Sequence, residues 1–292
     1  MPELPEVETI VRDLKKEVLE RTFLDIWTDW KKIVKKPKNF EEFKKKVKRK
    51  KIKNIRRRGK NILFDLNQKE VILIHQKLTG HLLLGKWKFE KGKWKSLIPG
   101  SLSDDPKNKF LHLIFFLDDG RQLALSDLRK FAKVELWDKE ILENSKEFKS
   151  LGPEPLSEKF TLEKFKKALL KKKKGKIKQV LMDQKIISGI GNIYSDEILW
   201  EARIHPFREI SKLSEEEFKR IYQAMKKILP KAIRLQGESI SDFRRISGQK
   251  GYFDKERKVY RREGENCSRC QAKIQRKKIG GRSAHFCPIC QK

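Results

Sequence analysis

The sequence predicts an α+β protein in three successive parts, and three observations carry that prediction. Behind one amphipathic helix, β-prone apolar runs fill the chain up to about residue 138. Helical spacing of apolar residues then takes over, and the last part is polar, punctuated by glycines and holds all four cysteines. The expected boundaries are 1–138 for an N-terminal helix plus β-sandwich and 139–155 for a linker around Leu151-Gly152-Pro153-Glu154-Pro155. A helical domain over 156–247 and a C-terminal finger over 248–292 complete the chain. At 292 residues there is ample material for a core in each of two domains.

Each element has its own warrant. From Glu3 to Glu20, Leu4, Val7, Ile10, Val11, Leu14 and Val18 fall on one helix face. Residues 22–30 and 47–58 are strand-like but ambiguous. Asn61 to Leu66, Val71 to His75 and His81 to Trp87 are clear strands between polar turns. Phe110 to Leu117 and Arg121 to Leu125 flank Asp118-Asp119-Gly120, a hairpin turn, and Phe131 to Trp137 ends the run of strands. Beyond the linker, helices are expected at Phe160 to Leu170, Ile177 to Met182, Ile193 to Ala202 and Ser214 to Leu235.

Charge narrows the function. Lys+Arg number 72 against 40 Asp+Glu, a formal net charge of +32. An excess of that size calls for a polyanionic partner, nucleic acid first, although runs such as Lys171 to Lys174 also suit plain solvated faces. No stretch approaches the roughly 20 apolar residues of a membrane span, and the N-terminus has acids where a signal peptide has bases. The expectation is a cytoplasmic, reducing location, in which four cysteines serve as metal ligands or free thiols.

Cys267-x2-Cys270 and Cys287-x2-Cys290, sixteen residues apart, can close a tetrahedral thiolate cage around one structural Zn²⁺ with no open position for catalysis. A tail this short buries little core, so the metal supplies its folding energy. Lys273, Arg276, Lys277, Lys278 and Arg282 lie between the pairs and suit a hairpin facing phosphate.

In the helical part, Ile177 to Gln184 runs into Ile187-Ser188-Gly189-Ile190-Gly191-Asn192: a helix end, two tight turns, and Asn192 placed to cap the next helix. Glycines at 189 and 191 allow a close phosphate approach, though an ordinary helix-turn-helix linker reads the same way.

The opening residues carry the reactive possibility. Removal of Met1 leaves Pro2 as a free secondary amine, with Glu3 beside it and a second acid at Glu6. An α-amine has an ordinary pKa of roughly 7.7–8.0, so part of it is neutral and nucleophilic near neutral pH. An amine attacking a carbonyl-like carbon, with an acid to protonate the leaving oxygen, is a workable covalent pair. The same residues also make a good helix start, with Pro5 in the first turn and Glu6 and Glu8 on the positive end of the dipole.

Met1-Pro2-Glu3-Leu4-Pro5-Glu6-Val7-Glu8-Thr9, the Asp183-Gln184 to Glu197 stretch and the paired CxxC together resemble the formamidopyrimidine-DNA glycosylase family over essentially the whole chain. Leu4 aligns it with the oxidised-purine branch rather than the endonuclease VIII branch, which begins Pro-Glu-Gly-Pro. The resemblance implies a monomeric base excision repair enzyme of bacterial type, nucleoid-associated while scanning DNA. It would remove 8-oxoguanine and formamidopyrimidines from duplex DNA, then nick the abasic site by β- and δ-elimination.

The roles implied are specific. Pro2 attacks C1′ and forms the Schiff base, and Glu3 protonates the opening sugar, with Glu6 in the same acidic set. Lys60, in Arg58-Gly59-Lys60-Asn61, contacts phosphate or base, and Arg282 clamps phosphates and assists the second elimination. Asn192 and Lys178 bind the DNA backbone, with Lys173 or Lys174 at another basic position. Base eversion leaves a hole, which Leu78, Arg129 and Phe131 would fill from His75-Gln76-Lys77-Leu78-Thr79-Gly80 and Asp127-Leu128-Arg129-Lys130-Phe131-Ala132. Gln76, Lys77, Leu128 and Ala132 depart from the family pattern. So does Phe110, where the family has a histidine, leaving His112 as the aligned DNA contact. Gly237 to Phe243 and Gly248 to Tyr252 resemble the loop that closes over the everted base. Two other readings stay open: a non-catalytic zinc-finger nucleic-acid binder or damage sensor, and an endonuclease-VIII-like enzyme for oxidised pyrimidines.

Overall fold

The computed structural model describes every residue except Gln68, Lys173, Ile240 and Ser241. The chain forms two compact units, Met1–Phe148 with Gln236–Tyr252, and Lys149–Leu235 with Phe253–Lys292. Residues 236–252, which the sequence divides between helical domain and finger, return to the first unit. The reason is local: Arg245 makes a bidentate pair with Asp13 at 2.9 and 2.8 Å, and Leu84 donates its N–H to Ile246.

In the first unit, α1 (Leu4–Val18) is followed by β1 (Phe23–Thr28), β2 (Val34–Lys36) and α2 (Phe40–Val47). Six strands come next: β3 (Ile52–Arg58), β4 (Asn61–Leu66), β5 (Glu70–His75), β6 (Gly80–Gly85), β7 (Trp87–Glu90) and β8 (Lys93–Ser96). β9 (Leu111–Leu117), β10 (Gln122–Asp127), β11 (Lys133–Asp138) and α3 (Lys139–Asn144) complete it. One sheet runs β1-β9-β10-β6 and the other β2-β11-β5-β4-β3. All their pairings are antiparallel except β2 with β11. Val7, Ile10, Leu14 and Val18 bury the inner face of α1 in the same core as Phe64 and Phe115.

Among the elements that go beyond the sequence expectation, α2 and the β7–β8 hairpin have clear local causes. α2 forms because Asn39 caps two backbone N–H groups and Phe40, Phe43 and Val47 share a buried face. The β7–β8 hairpin separates from β6 because Gly85 leaves room only for the Trp87 ring, 2.7 Å from where a Cβ would stand.

α4 (Lys146–Lys149) carries the chain into the second unit, which holds α5 (Leu162–Leu170), α6 (Ile177–Met182), α7 (Asn192–Ala202) and α8 (Glu215–Arg234). Ser214 and Glu217 form a capping box at the start of α8. β12 (Gln275–Ile279) and β13 (Arg282–Phe286) make the C-terminal hairpin. Among the described residues, no helix is long and apolar enough to cross a membrane.

Candidate active site and nucleic-acid interface

The first unit surrounds the chain's N-terminus with titratable groups. Pro2 is buried, and Glu3, Glu6 and Lys60 are 2, 1 and 7 % exposed. Glu6 spends both carboxylate oxygens on backbone: Oε2 accepts the Glu3 N–H at 2.8 Å and Oε1 the Glu238 N–H at 2.9 Å. It therefore fixes the start of α1 and the returning segment at once, a positioning task rather than proton transfer. Gly237 has φ +84°, and a Cβ there would stand 3.0 Å from the Glu6 side chain, so glycine is required where the segment meets the acid. Lys60 is delivered by the β3–β4 turn. Gly59, at φ +57°, makes that turn, and Arg57 braces it by donating to the Gly59 carbonyl at 2.9 Å and to Glu8 at 3.0 Å.

Burial lowers the pKa of the Met1 amine from its ordinary 8.0, opposed by Glu3, Glu6 and Glu238, while Lys60 adds to the lowering. Those four side chains thus define the electrostatic surroundings of the N-terminal end of the chain. Lowering favours the neutral amine: its unprotonated fraction rises at a lower pH than in a free peptide. Glu238 is the member that the sequence left unassigned. Its position directly after Gly237, in a segment already singled out by its glycines, was the available signal.

The proposed wedge residues also lie in this unit. Leu78 is half-buried in the β5–β6 turn. Arg129 and Phe131 are exposed in the β10–β11 turn, with the guanidinium 4.6 Å from the ring centroid. Tyr252 is 53 % exposed. His112 is 7 % exposed, and its Nδ1 bonds Asp29 at 2.9 Å, so one ring nitrogen is committed to the fold.

In the second unit, Gln184 holds the two turns between α6 and α7. Its amide donates to the carbonyls of Met182 (2.9 Å) and Ile190 (2.7 Å) and its oxygen accepts the Gly189 N–H (2.8 Å). Gly191, not Asn192, is the N-cap of α7. Asn192 is the first helical residue, and its buried Oδ1 has no hydrogen-bond partner among the described residues. Lys178 is fully buried: Nζ donates to Asp196 (2.5 Å), Ser195 (3.2 Å) and the Asn192 carbonyl (3.3 Å). A side chain so enclosed does not contact a backbone phosphate; it sets the start of α7 instead. Lys174 is exposed, and Lys173 lies outside the described residues.

Arg282 is exposed at the head of β13, after Gly280 and Gly281 at φ +53° and +73°. Gly280 has the left-handed φ that favours glycine, and a Cβ there would stand 2.2 Å from the Gln179 amide and force that side chain to move. Beside it is an open groove of about 770 Å³ lined by Asn192, Tyr260, Arg261, Arg276, Arg282 and His285, with Glu263 bonded to Arg276 at 3.3 Å. Three arginines and a helix N-terminus suit a phosphate backbone.

The four cysteine sulfurs lie within 4.8 Å of one another, with Cys267–Cys290 at 3.9 Å and Cys270–Cys287 at 3.4 Å. A tetrahedral Zn²⁺ with Zn–S of about 2.3 Å asks for sulfurs about 3.8 Å apart, so the set fits. Burial and the neighbouring thiols push Cys290 up to about 12, a burden that a divalent cation removes. The chain holds one structural zinc.

Buried acids gathered at the N-terminus, carried with a helix–two-turn–helix and a four-cysteine finger, make the architecture of a DNA glycosylase. The family descriptions agree along the chain. Residues 1–134 match the formamidopyrimidine-DNA glycosylase N-terminal domain, residues 151–244 its H2TH domain, and residues 264–292 the zinc finger found in FPG and IleRS. A formamidopyrimidine-DNA glycosylase of Carboxydothermus hydrogenoformans is 41 % identical over 292 residues, covering 100 % of both chains. One from Pelotomaculum thermopropionicum is 38 % identical, covering 100 % of this chain and 99 % of the relative. A point mutant of the Lactococcus lactis FPG, solved with DNA containing Fapy-dG, superposes with a TM-score of 0.87 at 36 % identity over 100 % of both chains. The chain belongs to the formamidopyrimidine-DNA glycosylase family, whose members are DNA glycosylases with AP lyase activity.

Proposed function

We propose that this protein removes oxidised purines, 8-oxoguanine and formamidopyrimidines, from duplex DNA and then cuts the abasic site through a Schiff base to Pro2. The observation that carries the reading is the cluster of buried Glu3, Glu6, Lys60 and Glu238 at the N-terminus, with Glu6 bonded to the backbone of both Glu3 and Glu238. The solved relative that carries Fapy-dG DNA supports the substrate class. Damaged double-stranded DNA is the partner, met by a monomer, on the nucleoid during scanning.

The chain's own groups suffice for the sequence of steps. Once Met1 is removed, the Pro2 nitrogen attacks C1′ of the everted nucleotide, and the base leaves with the glycosidic electron pair. Glu3 protonates O4′ as the ring opens, giving an iminium between Pro2 and C1′. The iminium draws electrons from C2′, so water takes a C2′ proton, its C–H pair forms the C2′–C3′ double bond, and the 3′ phosphate departs with its bonding pair. Repetition at C4′ releases the 5′ phosphate. Lys60 neutralises phosphate or base charge on the way, and Arg282 with Asn192 grips the backbone. Leu78, Arg129 and Phe131 fill the vacated stack, and Tyr252 contacts the DNA from the returning segment. The zinc organises the hairpin that bears Arg282 and supplies no chemistry to the reaction.

Borohydride should trap the Met1-processed protein covalently on duplex DNA containing 8-oxoguanine opposite cytosine. Binding without trapping would leave the damage-sensor reading standing instead. Preferential trapping on an oxidised pyrimidine would favour the endonuclease-VIII-like alternative.

A further inference from the structure

Asp127, the last residue of β10, is fully buried and takes no part in the steps above. Its Oδ1 accepts the Thr79 hydroxyl at 2.5 Å and the Arg129 N–H at 3.3 Å. Its Oδ2 accepts the N–H groups of Phe131 and Ala132, both at 2.7 Å. Thr79 Oγ1 accepts the Arg129 N–H as well, at 3.2 Å. One carboxylate therefore ties the turn after β5, which presents Leu78, to the turn after β10, which presents Arg129 and Phe131.

The two turns meet there because the strands demand it: Asp127 sits opposite Gly80 in the β10–β6 register. Each turn also needs holding. Lys77 and Lys130 have φ +54° and +55°, a left-handed conformation that is strained for side chains other than glycine. A buried carboxylate with four donors is short of alternatives, since water cannot replace a lost bond there.

We propose that Asp127 is a positioning residue that locks the two turns into a single wedge, so that Leu78 and the Arg129–Phe131 pair enter the duplex together. The proposal rests on the wedge reading given above. It predicts a defect confined to substrates in which a base stack must be refilled, because a single-stranded abasic site presents no hole.

The test compares two substrates with Asp127→Asn, which keeps the shape and replaces one acceptor oxygen with an amide. Single-turnover excision of 8-oxoguanine opposite cytosine should fall about ten-fold or more, while β-elimination at a single-stranded abasic site stays within about two-fold. Thr79→Val deletes only the link between turns on a half-buried side chain, and should show the same split to a smaller degree. It also serves if Asp127→Asn does not fold. Equal losses on both substrates, or unchanged duplex excision in both variants, would overturn the inference. Leu78→Ala and Arg129→Ala separate the two levels. If these leave duplex excision intact, the wedge reading itself fails; if they lower it and the Asp127 and Thr79 variants do not, only the coupling fails.

Discussion

The two units hold their functional parts with very different shares of apolar packing. In the first, one continuous apolar core of α1 and two sheets carries a small polar cluster at the end of α1. In the second, the finger has a modest apolar cluster around Trp200, Val259 and Ile274, and polar bonds and metal do the rest. α7 supplies two buried carboxylates for this. Asp196 accepts the His285 N–H and bonds its Nδ1, both at 3.0 Å, and Glu197 accepts the N–H groups of Lys258 (2.8 Å), Val259 (3.0 Å) and Tyr260 (2.9 Å). Arg269 lies 3.6 Å from the Trp200 ring centroid. A reactive group can be positioned by apolar packing where enough chain is available; a short tail must be fastened by charge and by zinc.

That contrast can be broken at several points. Zinc removal should have the largest effect, because the metal contributes on the order of 10 kcal/mol to folding such modules. Chelation should melt the finger and cut DNA affinity on the order of 100-fold while hydrogen exchange at α1 amides stays slow. Simultaneous loss of α1 protection would contradict a metal contribution confined to the finger. Leu14→Ala, fully buried in the first core, should cost about 3 kcal/mol in denaturant unfolding without changing zinc content. Glu197→Gln, which keeps the size but weakens bonds to three backbone N–H groups, should cost about 2 kcal/mol, seen first as faster exchange at residues 258–260. Slower exchange there, or none of the cost, would put the finger's anchorage elsewhere.

The smallest effect is a pH dependence of the first unit. Burial, with Lys77, Lys60 and Lys133, holds His75 at about 3 against an ordinary 6.5, and its Nδ1 accepts the Lys77 N–H at 2.9 Å. Below pH 6.5 the unfolded chain binds a proton that the folded chain refuses until about pH 3, so stability falls as pH falls through this window. Between pH 7 and 5 the loss should be about 1–2 kcal/mol, and His75→Asn should flatten it. An unchanged slope in that variant would assign the effect to another group.

Much of this was legible in the chain. The 3,4 spacing of α1, the Asp-Gly hairpin and the paired CxxC each encode structure through neighbours in sequence, and the structure places helix, hairpin and sulfur cluster there. Apart from the one-residue shift of the α7 cap, the misread positions depend on partners far along the chain. Lys178 looks like one more surface lysine until Asp196, on the next helix, encloses it. His112 commits a ring nitrogen to Asp29, 83 residues away, and Glu238 reaches Glu6 across 232. α2 and the β7–β8 hairpin had local signals, Asn39 and the Trp87 and Trp94 positions, hidden within lysine-rich runs.

The central claim, that the enclosed N-terminal nitrogen is the nucleophile, comes down to one atom. Borohydride-trapped protein–DNA adduct can be digested and the modified peptide sequenced by mass spectrometry. The deoxyribose remnant should sit on the Pro2 nitrogen, in a peptide lacking Met1. A remnant on Lys60, or on any other lysine, would contradict it.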